Sequence, residues 1–174
     1  MTYQFDVIAG RPSAAFPGTL TRTNLPHEVI SAEPLSTSTV YFGNPVVRDS
    51  STGLIRSFGA SDTVAFGFAV KAFPTTQAQW PPAGFTFPEQ ASTTQTMSIL
   101  REGYIQVQIL GAAAPVQGGV VYAQIVADTG IPVGSLTAVA EGSAGAHSVV
   151  LAGATWASTG VDSNGFGEIR FRAA

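Results

Sequence analysis

The residues whose spacing most resembles a catalytic motif are Asp128, Thr129 and Gly130, which follow the apolar run AQIVA. Aspartic proteases carry an Asp-Thr/Ser-Gly triplet after such a strand, and two copies bring paired carboxyl groups together to share a proton. Here Pro132 follows almost at once, and no second apolar strand sets up the motif. An Asp-x-Gly triplet after a strand is also ordinary turn chemistry. The sequence favours a turn, with a dimeric aspartic protease as the remaining alternative.

Other motifs for catalysis or metal binding are missing from the sequence. The only histidines are His27 and His147, and neither has carboxylates at the spacing of metal ligands. Cysteine is absent, which excludes disulfide frameworks and thiolate metal sites. The chain contains no G-x-S-x-G elbow, no Walker loop and no G-x-G-x-x-G. We therefore expect no enzyme, no metal and no cofactor.

Charge is scarce in this chain of 174 residues. Charged residues make up 11%, against about 25% in an average globular protein, while apolar residues stay at 45%. Intrinsic disorder needs low hydrophobicity with high net charge, so the composition argues against it. With a net charge of −3 and Lys71 as its single lysine, the chain has no basic patch for nucleic acid. Such a neutral polar surface suits a chain that partner proteins cover.

The N-terminal sequence and the hydropathy predict where the protein is made. Met1 leads into TYQFD without a basic start or an apolar core, so we expect no signal peptide. No run of about 18 apolar residues appears, so we expect no membrane-spanning helix. The protein is thus expected to be made in a cytoplasm and to have no membrane partner.

The elements that must position any site are short and β-rich. Eleven prolines and 19 glycines leave few windows long enough for three helical turns. Short apolar runs at spacings of about ten residues, separated by turn residues, indicate an all-β barrel or sandwich. The Asn-Gly pair in DSNG at 162–165 is typical of a hairpin turn. We predict strands at residues 39–42, 46–48, 64–72, 94–100, 103–110, 120–126, 148–151, 154–157 and 167–171.

Two of these predicted strands alternate apolar residues with an uncharged polar face. Tyr104 and Gln106 lie on that face of 103–110, and Tyr122 and Gln124 lie on that face of 120–126. Gln can form hydrogen bonds without the cost of burying an unpaired ion, and Tyr combines an apolar body with a polar tip. The pattern predicts a protein partner, and we expect these four residues at an oligomer interface or another protein interface.

Residues 1–30 lack the alternation of a strand. Pro12, Pro17 and Pro26 each bias the preceding residue toward extended structure. We predict an extended N-terminal arm over 1–30 that gains order by lying on another surface, followed by a β domain over 31–174.

Residues 72–95 form a second unusual segment, with four prolines and four large aromatic residues. Proline lowers the entropy lost on ordering, and aromatic side chains supply contact area. The segment is either a long loop fastened to its own domain by Trp80 or an exposed loop that contacts a neighbouring subunit.

Four segments follow one another in a distinctive order: AAFPGTLTRTNLPHEVISAEPL, VYFGNPVVRDSSTGLIRSFGASDTVAFGFAV, GYIQVQILGAAAPVQGGVVYAQI and VLAGATWASTGVDSNGFGEIRF. In that order they resemble the structural cement (capsid decoration) proteins of tailed bacteriophages. The resemblance covers most of the chain and breaks at 72–95, which leaves the use of that loop open.

The resemblance implies a small β-barrel or tulip-like β domain that is not an enzyme and needs no cofactor. It implies a homodimer or homotrimer that binds the outside of the major-capsid-protein shell, bridges neighbouring capsomers and stabilises the mature head. The protein would then reside on the exterior of the phage head in the virion. Under this hypothesis the shell anchors in the arm are Phe5, Arg11, Phe16 and Arg22.

A rival hypothesis is a recognition module, such as a head fibre or a carbohydrate binder, displayed on the virion surface. Trp80, Phe85 and Phe87 would then form a platform on which sugar rings stack.

Overall fold

The computed structural model describes residues 17–71, 96–142, 146–162 and 165–173, and these residues form ten strands without a helix. The predicted all-β class is confirmed. Nothing among the described residues could cross a membrane as a long apolar helix. The strands are β1 (Leu20–Thr21), β2 (Glu28–Ala32), β3 (Pro45–Arg48), β4 (Ile55–Ser57), β5 (Gly67–Val70), β6 (Met97–Gln108), β7 (Val120–Gln124), β8 (Leu136–Thr137), β9 (Ser148–Trp156) and β10 (Phe166–Arg172).

These strands build one curled antiparallel sheet in the order β4-β3-β5-β6-β10-β9-β7-β8, and both β1 and β2 pair with β6. A parallel bridge between Ile109 and Leu136 connects β8 back to the end of β6. The Leu110 N–H donates to the Leu136 carbonyl at 2.9 Å beside this bridge. The sheet therefore curls into a half-barrel, with β6 as the strand to which four others pair.

The long strand β6 joins two runs that the sequence predicts as separate strands, 94–100 and 103–110. Leu100 and Ile105 are five residues apart yet belong to the same apolar core, so strict alternation fails between them. The pairing with β2 skips Arg101 at this point, as in a β-bulge. Gly103 follows with φ of 138°, and a Cβ there would lie 2.9 Å from the His27 Cβ. The bulge therefore switches the residues of β6 that face the main apolar cluster from an even-numbered position, Leu100, to odd-numbered positions such as Ile105.

Apolar side chains fill two clusters, and neighbouring residues of β5 point into different ones. Phe68 belongs to the main cluster inside the curled sheet, together with Trp156, which is 1% exposed. Ala69 belongs to a smaller cluster with Ile99 and Val40. Because the chain covers both faces of the sheet at β5, all four residues of this strand are buried.

The prediction of a strand at residues 39–42 is wrong. Val40 is buried in the smaller cluster, but the chain turns next at Gly43, whose φ is 80°. A Cβ on Gly43 would lie 2.8 Å from the Gly18 nitrogen, so this turn packs directly against the N-terminal segment. Close backbone packing replaces strand pairing here.

Candidate functional site

The N-terminal segment joins the sheet at residues 17–22, which we call the arm root. The Gly18 N–H donates to the Gln106 carbonyl at 2.8 Å, and the Gly18 carbonyl accepts from the Lys71 N–H at 2.9 Å. Gly18 has φ of 83°, and a Cβ there would lie 2.8 Å from the Phe42 Cβ. Only glycine fits this position without strain, so the arm enters the domain at a fixed point.

The arm root is also clamped through side chains. The Arg22 guanidinium donates to both Glu168 carboxylate oxygens, at 3.1 Å from Nε and 2.6 Å from the terminal nitrogen. Thr21 Oγ1 donates to the same carboxylate at 2.5 Å. The hydrogen bond to Glu168 raises the pKa of Arg22 above its ordinary value. The guanidinium also lies 4.6 Å from the centre of the Tyr104 ring.

Two of the predicted interface residues are buried within this chain. Gln106 is 4% exposed, with β1 beside it and Glu168 as its partner on β10. Gln124 is 0% exposed, and its side-chain amide donates to the Val126 carbonyl at 2.8 Å. The polar face predicted for these strands is therefore covered by the chain itself at these two positions. Their place at an interface stays a prediction.

Strands β7 and β9 contain no charged residue, and their outer side is largely exposed. Tyr122 pairs with Val150, and Val120 pairs with Thr155. Val120 and Val150 are 44% and 49% exposed. Together with the exposed Ala152, these four residues form what we call the β7–β9 face. An exposed apolar strip without charge is typical of a surface that meets another protein.

A bulge keeps this face continuous along β9. The register between β7 and β9 shifts between Val120 and Tyr122, where β9 carries extra residues. Gly153 lies in this stretch with φ of 77°, and a Cβ there would collide with the Arg172 carbonyl. The bulge lets Val150 and Thr155 both stay outside while the intervening Leu151 is buried.

A cleft of about 160 Å³ opens beside the arm root. Pro17 lies on one wall, and Leu110 and Pro132 are also in its lining. Tyr41, which is 47% exposed, contributes an aromatic ring. The cleft therefore lies where residues 1–16 join the domain.

The Asp128-Thr129-Gly130 triplet forms an exposed turn. The Asp128 N–H and carbonyl both hydrogen-bond to Ile131, and the Thr129 N–H donates to the Asp128 carboxylate at 2.7 Å. That bond and His147, at 3.3 Å, hold the pKa of Asp128 below its ordinary value. No three His, Asp or Glu residues in the described ranges could hold a metal ion. The geometry favours turn chemistry.

The remaining predicted site residues lie outside the described part of the chain. They are the arm residues Phe5, Arg11 and Phe16 and the loop residues Trp80, Phe85 and Phe87. Their roles stay predictions. Sequence reasoning missed Glu168, because nothing near it in the sequence indicates a partner 146 residues away.

Comparison with known proteins gives one family and one fold. The family described as structural cement protein (E217 gp24/Pam3 gp6) matches residues 3–172. A chain from the solved structure "The capsid of Myoviridae Phage XM1" is similar with a TM-score of 0.69 and 20% identity, covering 99% of this chain and 98% of that chain. No curated protein matches. The chain belongs to the structural cement protein family of tailed bacteriophages, and its role is a structural one in the virion.

Proposed function

We propose that this protein binds the outside of the major-capsid-protein shell and stabilises the mature phage head by bridging neighbouring capsomers. The observation that carries the proposal is the β7–β9 face, which leaves two valines about half exposed in strands without charge. A contiguous neutral strip of this kind is favoured in contact with protein and is poorly suited to water. Family membership makes the capsid shell the natural partner.

Two tyrosines extend the proposed contact. Tyr122 lies on the β7–β9 face opposite Val150, and Tyr104 lies beside Arg22 at the arm root. Both are partly exposed. Tyrosine is favoured at protein interfaces because its ring is apolar and its hydroxyl can form hydrogen bonds. We assign both residues to contacts with the shell or with a sister subunit in a homodimer or homotrimer.

The N-terminal arm supplies the second proposed contact. Phe5, Arg11, Phe16 and Arg22 would anchor it on a neighbouring capsomer, since aromatic residues and arginine are enriched at protein interfaces. The fixed attachment at Gly18 supports this role, because a segment that starts from a defined point loses less freedom on binding.

Stabilisation follows from selective binding. A protein that binds the expanded lattice and not its dissociated subunits shifts the equilibrium toward the assembled state. Symmetric copies around the head, each with two contacts, multiply modest affinities by avidity. Neither effect requires catalysis or a cofactor.

Co-sedimentation tests the proposal. The purified protein is mixed with expanded and with unexpanded capsids that lack it, and the bound fraction is measured against concentration. We expect saturable binding to the expanded capsids and at least tenfold weaker binding to the unexpanded ones. Absence of binding to either form would overturn the proposal and favour the surface recognition module, for which a glycan screen is the next measurement.

A further inference from the structure

We propose that the outer edge of β2 is a docking site for an extended strand of the capsid shell, which adds to the sheet beside Val29 and Ser31. The occupant is a segment of the major capsid protein that carries basic residues near both ends of the contact. The inference rests on the proposed function for the identity of the shell as partner, and it names the backbone groups that make the contact.

The two ends of the sheet order, β4 and β8, are covered by the chain itself. The Ile55 N–H donates to the Glu33 carbonyl at 2.8 Å, and the Ile55 carbonyl accepts from the Leu35 N–H at 2.7 Å. At β8, the Leu136 carbonyl accepts from the Leu110 N–H at 2.9 Å. β2 pairs with β6 alone in the described part of the chain. Its outer edge is thus a place where a further strand can join the sheet.

The register of the sheet shows which backbone groups of β2 point outward. Successive residues of an antiparallel strand direct their N–H and C=O groups alternately to one side and to the other. Ala69 of β5 bonds away from β6, to the chain at the start of β3. Its register partner Ile99 therefore bonds toward β2, where it faces Ile30. Val29 and Ser31, the neighbours of Ile30, consequently direct their N–H and C=O groups outward.

These outward groups are available to a partner. Val29 is 37% exposed, and Ser31 is exposed as well. No described residue hydrogen-bonds to the outward backbone groups of either residue. An exposed row of unpaired N–H and C=O groups is the template on which an extended segment adds to a sheet, with main-chain hydrogen bonds supplying affinity.

Acidic side chains lie near both ends of this open stretch. Glu28 and Glu33 are exposed, and neither side chain forms a hydrogen bond or ion pair with another described residue. Glu28 lies opposite Glu102 of β6, whose own cation is Arg172 at 3.8 Å. Lys or Arg near both ends of an incoming strand would pair with the two unpaired acids. The charges therefore favour an occupant flanked by basic residues.

The same charges disfavour a second copy of this chain as the occupant. In antiparallel self-pairing centred on Ile30, Glu33 of one copy would lie next to Glu28 of the other. Like charges on paired strands destabilise the pair. A basic strand of the shell avoids this repulsion, so the edge is suited to a different protein.

The test blocks the edge with proline. Ser31→Pro removes an outward N–H and places a ring where the incoming strand would lie. Proline is tolerated at edge positions whose N–H faces solvent, so pairing of β2 with β6 is retained.

Ser36→Pro is the matched control. Ser36 is exposed and follows Leu35, whose carbonyl accepts from the Ser38 N–H at 2.9 Å and closes a turn. Proline is favoured at this second position of a turn. The control thus makes the same substitution outside β2.

The first measurement is amide hydrogen exchange in the free, unmodified protein. We expect Val29 and Ser31 to exchange at least about tenfold faster than Ile30, because the Ile30 N–H is bonded to β6 and theirs face solvent. Slow exchange at Val29 and Ser31 that persists on dilution would mean that the chain covers its own edge. Slow exchange that is lost on dilution would mean that a second copy occupies it. Either result overturns the proposal.

The second measurement is co-sedimentation with expanded capsids that lack the protein. We expect Ser31→Pro to weaken binding at least about tenfold, since a strand hydrogen bond is lost and the ring blocks close approach. Ser36→Pro should stay within about twofold of the parent, as expected for a surface substitution outside the contact. Glu28→Gln combined with Glu33→Gln should weaken binding about fivefold at low salt and lower its salt dependence.

Exchange on the capsid gives the decisive comparison. In the bound, unmodified protein we expect the Val29 and Ser31 amides to slow at least about tenfold. Capsid binding without this protection, or equal binding by Ser31→Pro and the parent, overturns the inference and leaves the proposed function intact. Failure of the unmodified protein to bind capsids overturns both. Because exchange is measured on the unmodified protein, the test does not depend on the folding of any variant.

Discussion

The arm root and the β7–β9 face lie on one curled sheet, but they use polarity in opposite ways. At the root, Glu168 accepts hydrogen bonds from Thr21 and Arg22 of the same chain. On the β7–β9 face, Val120 and Val150 lie exposed in strands with no charge. At the arm root the chain thus uses charges to fix its own geometry, and on the β7–β9 face it presents neutral area outward. The difference separates two tasks, orientation at the root and contact area on the face.

A single charge introduced on the β7–β9 face should give the largest loss of capsid binding. Val150→Asp places an unpaired carboxylate where we expect a partner, and burying such a charge costs several kcal/mol. We expect affinity for expanded capsids to fall at least about 100-fold. The binding isotherm from co-sedimentation measures the loss.

Val64→Asp is the matched control, because Val64 is 51% exposed against 49% for Val150 and lies outside β7 and β9. We expect its affinity to stay within threefold of the parent. Similar losses for both variants would show that any exposed apolar site matters, and the β7–β9 face would have no special role.

A methyl group at Gly18 should have the next largest effect, a loss of folding stability caused at the arm root. Gly18→Ala brings a Cβ to 2.8 Å from the Phe42 Cβ and strains a backbone with φ of 83°. We expect the free energy of unfolding to fall by roughly 2–4 kcal/mol, the sum of backbone strain and overpacking. Urea denaturation followed by circular dichroism measures the change.

Gly130→Ala separates the two contributions. Gly130 has φ of 76°, but a Cβ there meets no atom within 4 Å. We expect only the cost of backbone strain, about 1 kcal/mol. If Gly18→Ala costs no more than Gly130→Ala, the close packing of the root against Phe42 has no energetic weight.

The Arg56–Asp62 ion pair, in which the guanidinium donates to both carboxylate oxygens at 2.6 and 2.7 Å, gives a smaller effect than Gly18→Ala and sharpens the comparison through its pH dependence. Burial raises the pKa of Asp62, but hydrogen bonds from Arg56 and the Gly59 N–H outweigh this and hold the pKa below its ordinary value. A lowered carboxyl pKa contributes stability that is present above the unfolded value and lost as pH falls through the folded value. Asp62→Asn should therefore cost about 1–3 kcal/mol at pH 7.

Urea denaturation between pH 7 and pH 2 checks the sign. The stability difference between parent and Asp62→Asn should be constant down to about pH 4 and shrink below it. A difference that grows as the pH falls would mean that the carboxylate is not held by Arg56.

The fold class could be predicted because local sequence patterns identify most of the strands. β7 and β10 show period-2 alternation, and Gly and Pro mark the turns between strands. β1 and β8 have two residues each, too few to show a period, and they are strands because they pair with β6 and β7, respectively. The joining of two predicted runs into β6 was hidden because the bulge near Arg101 interrupts the alternation.

The candidate site could be predicted only in part, for a related reason. Local alternation placed Gln106 on an outward face, and it cannot tell that tertiary packing leaves this residue only 4% exposed. The charges of β10 were visible in the sequence, but the partner of Glu168 is 146 residues away. The missing charge on β7 was visible, and it remains the sequence feature that points to a partner protein.

Capsid melting tests the central claim most directly. Expanded capsids that lack the protein are heated with and without a saturating amount of it, and shell disassembly is followed by light scattering. The account predicts a higher melting temperature with the protein present, since a ligand of the assembled state stabilises that state. Saturable binding with an unchanged melting temperature would contradict the account, because it would mean that the protein binds the shell without stabilising it.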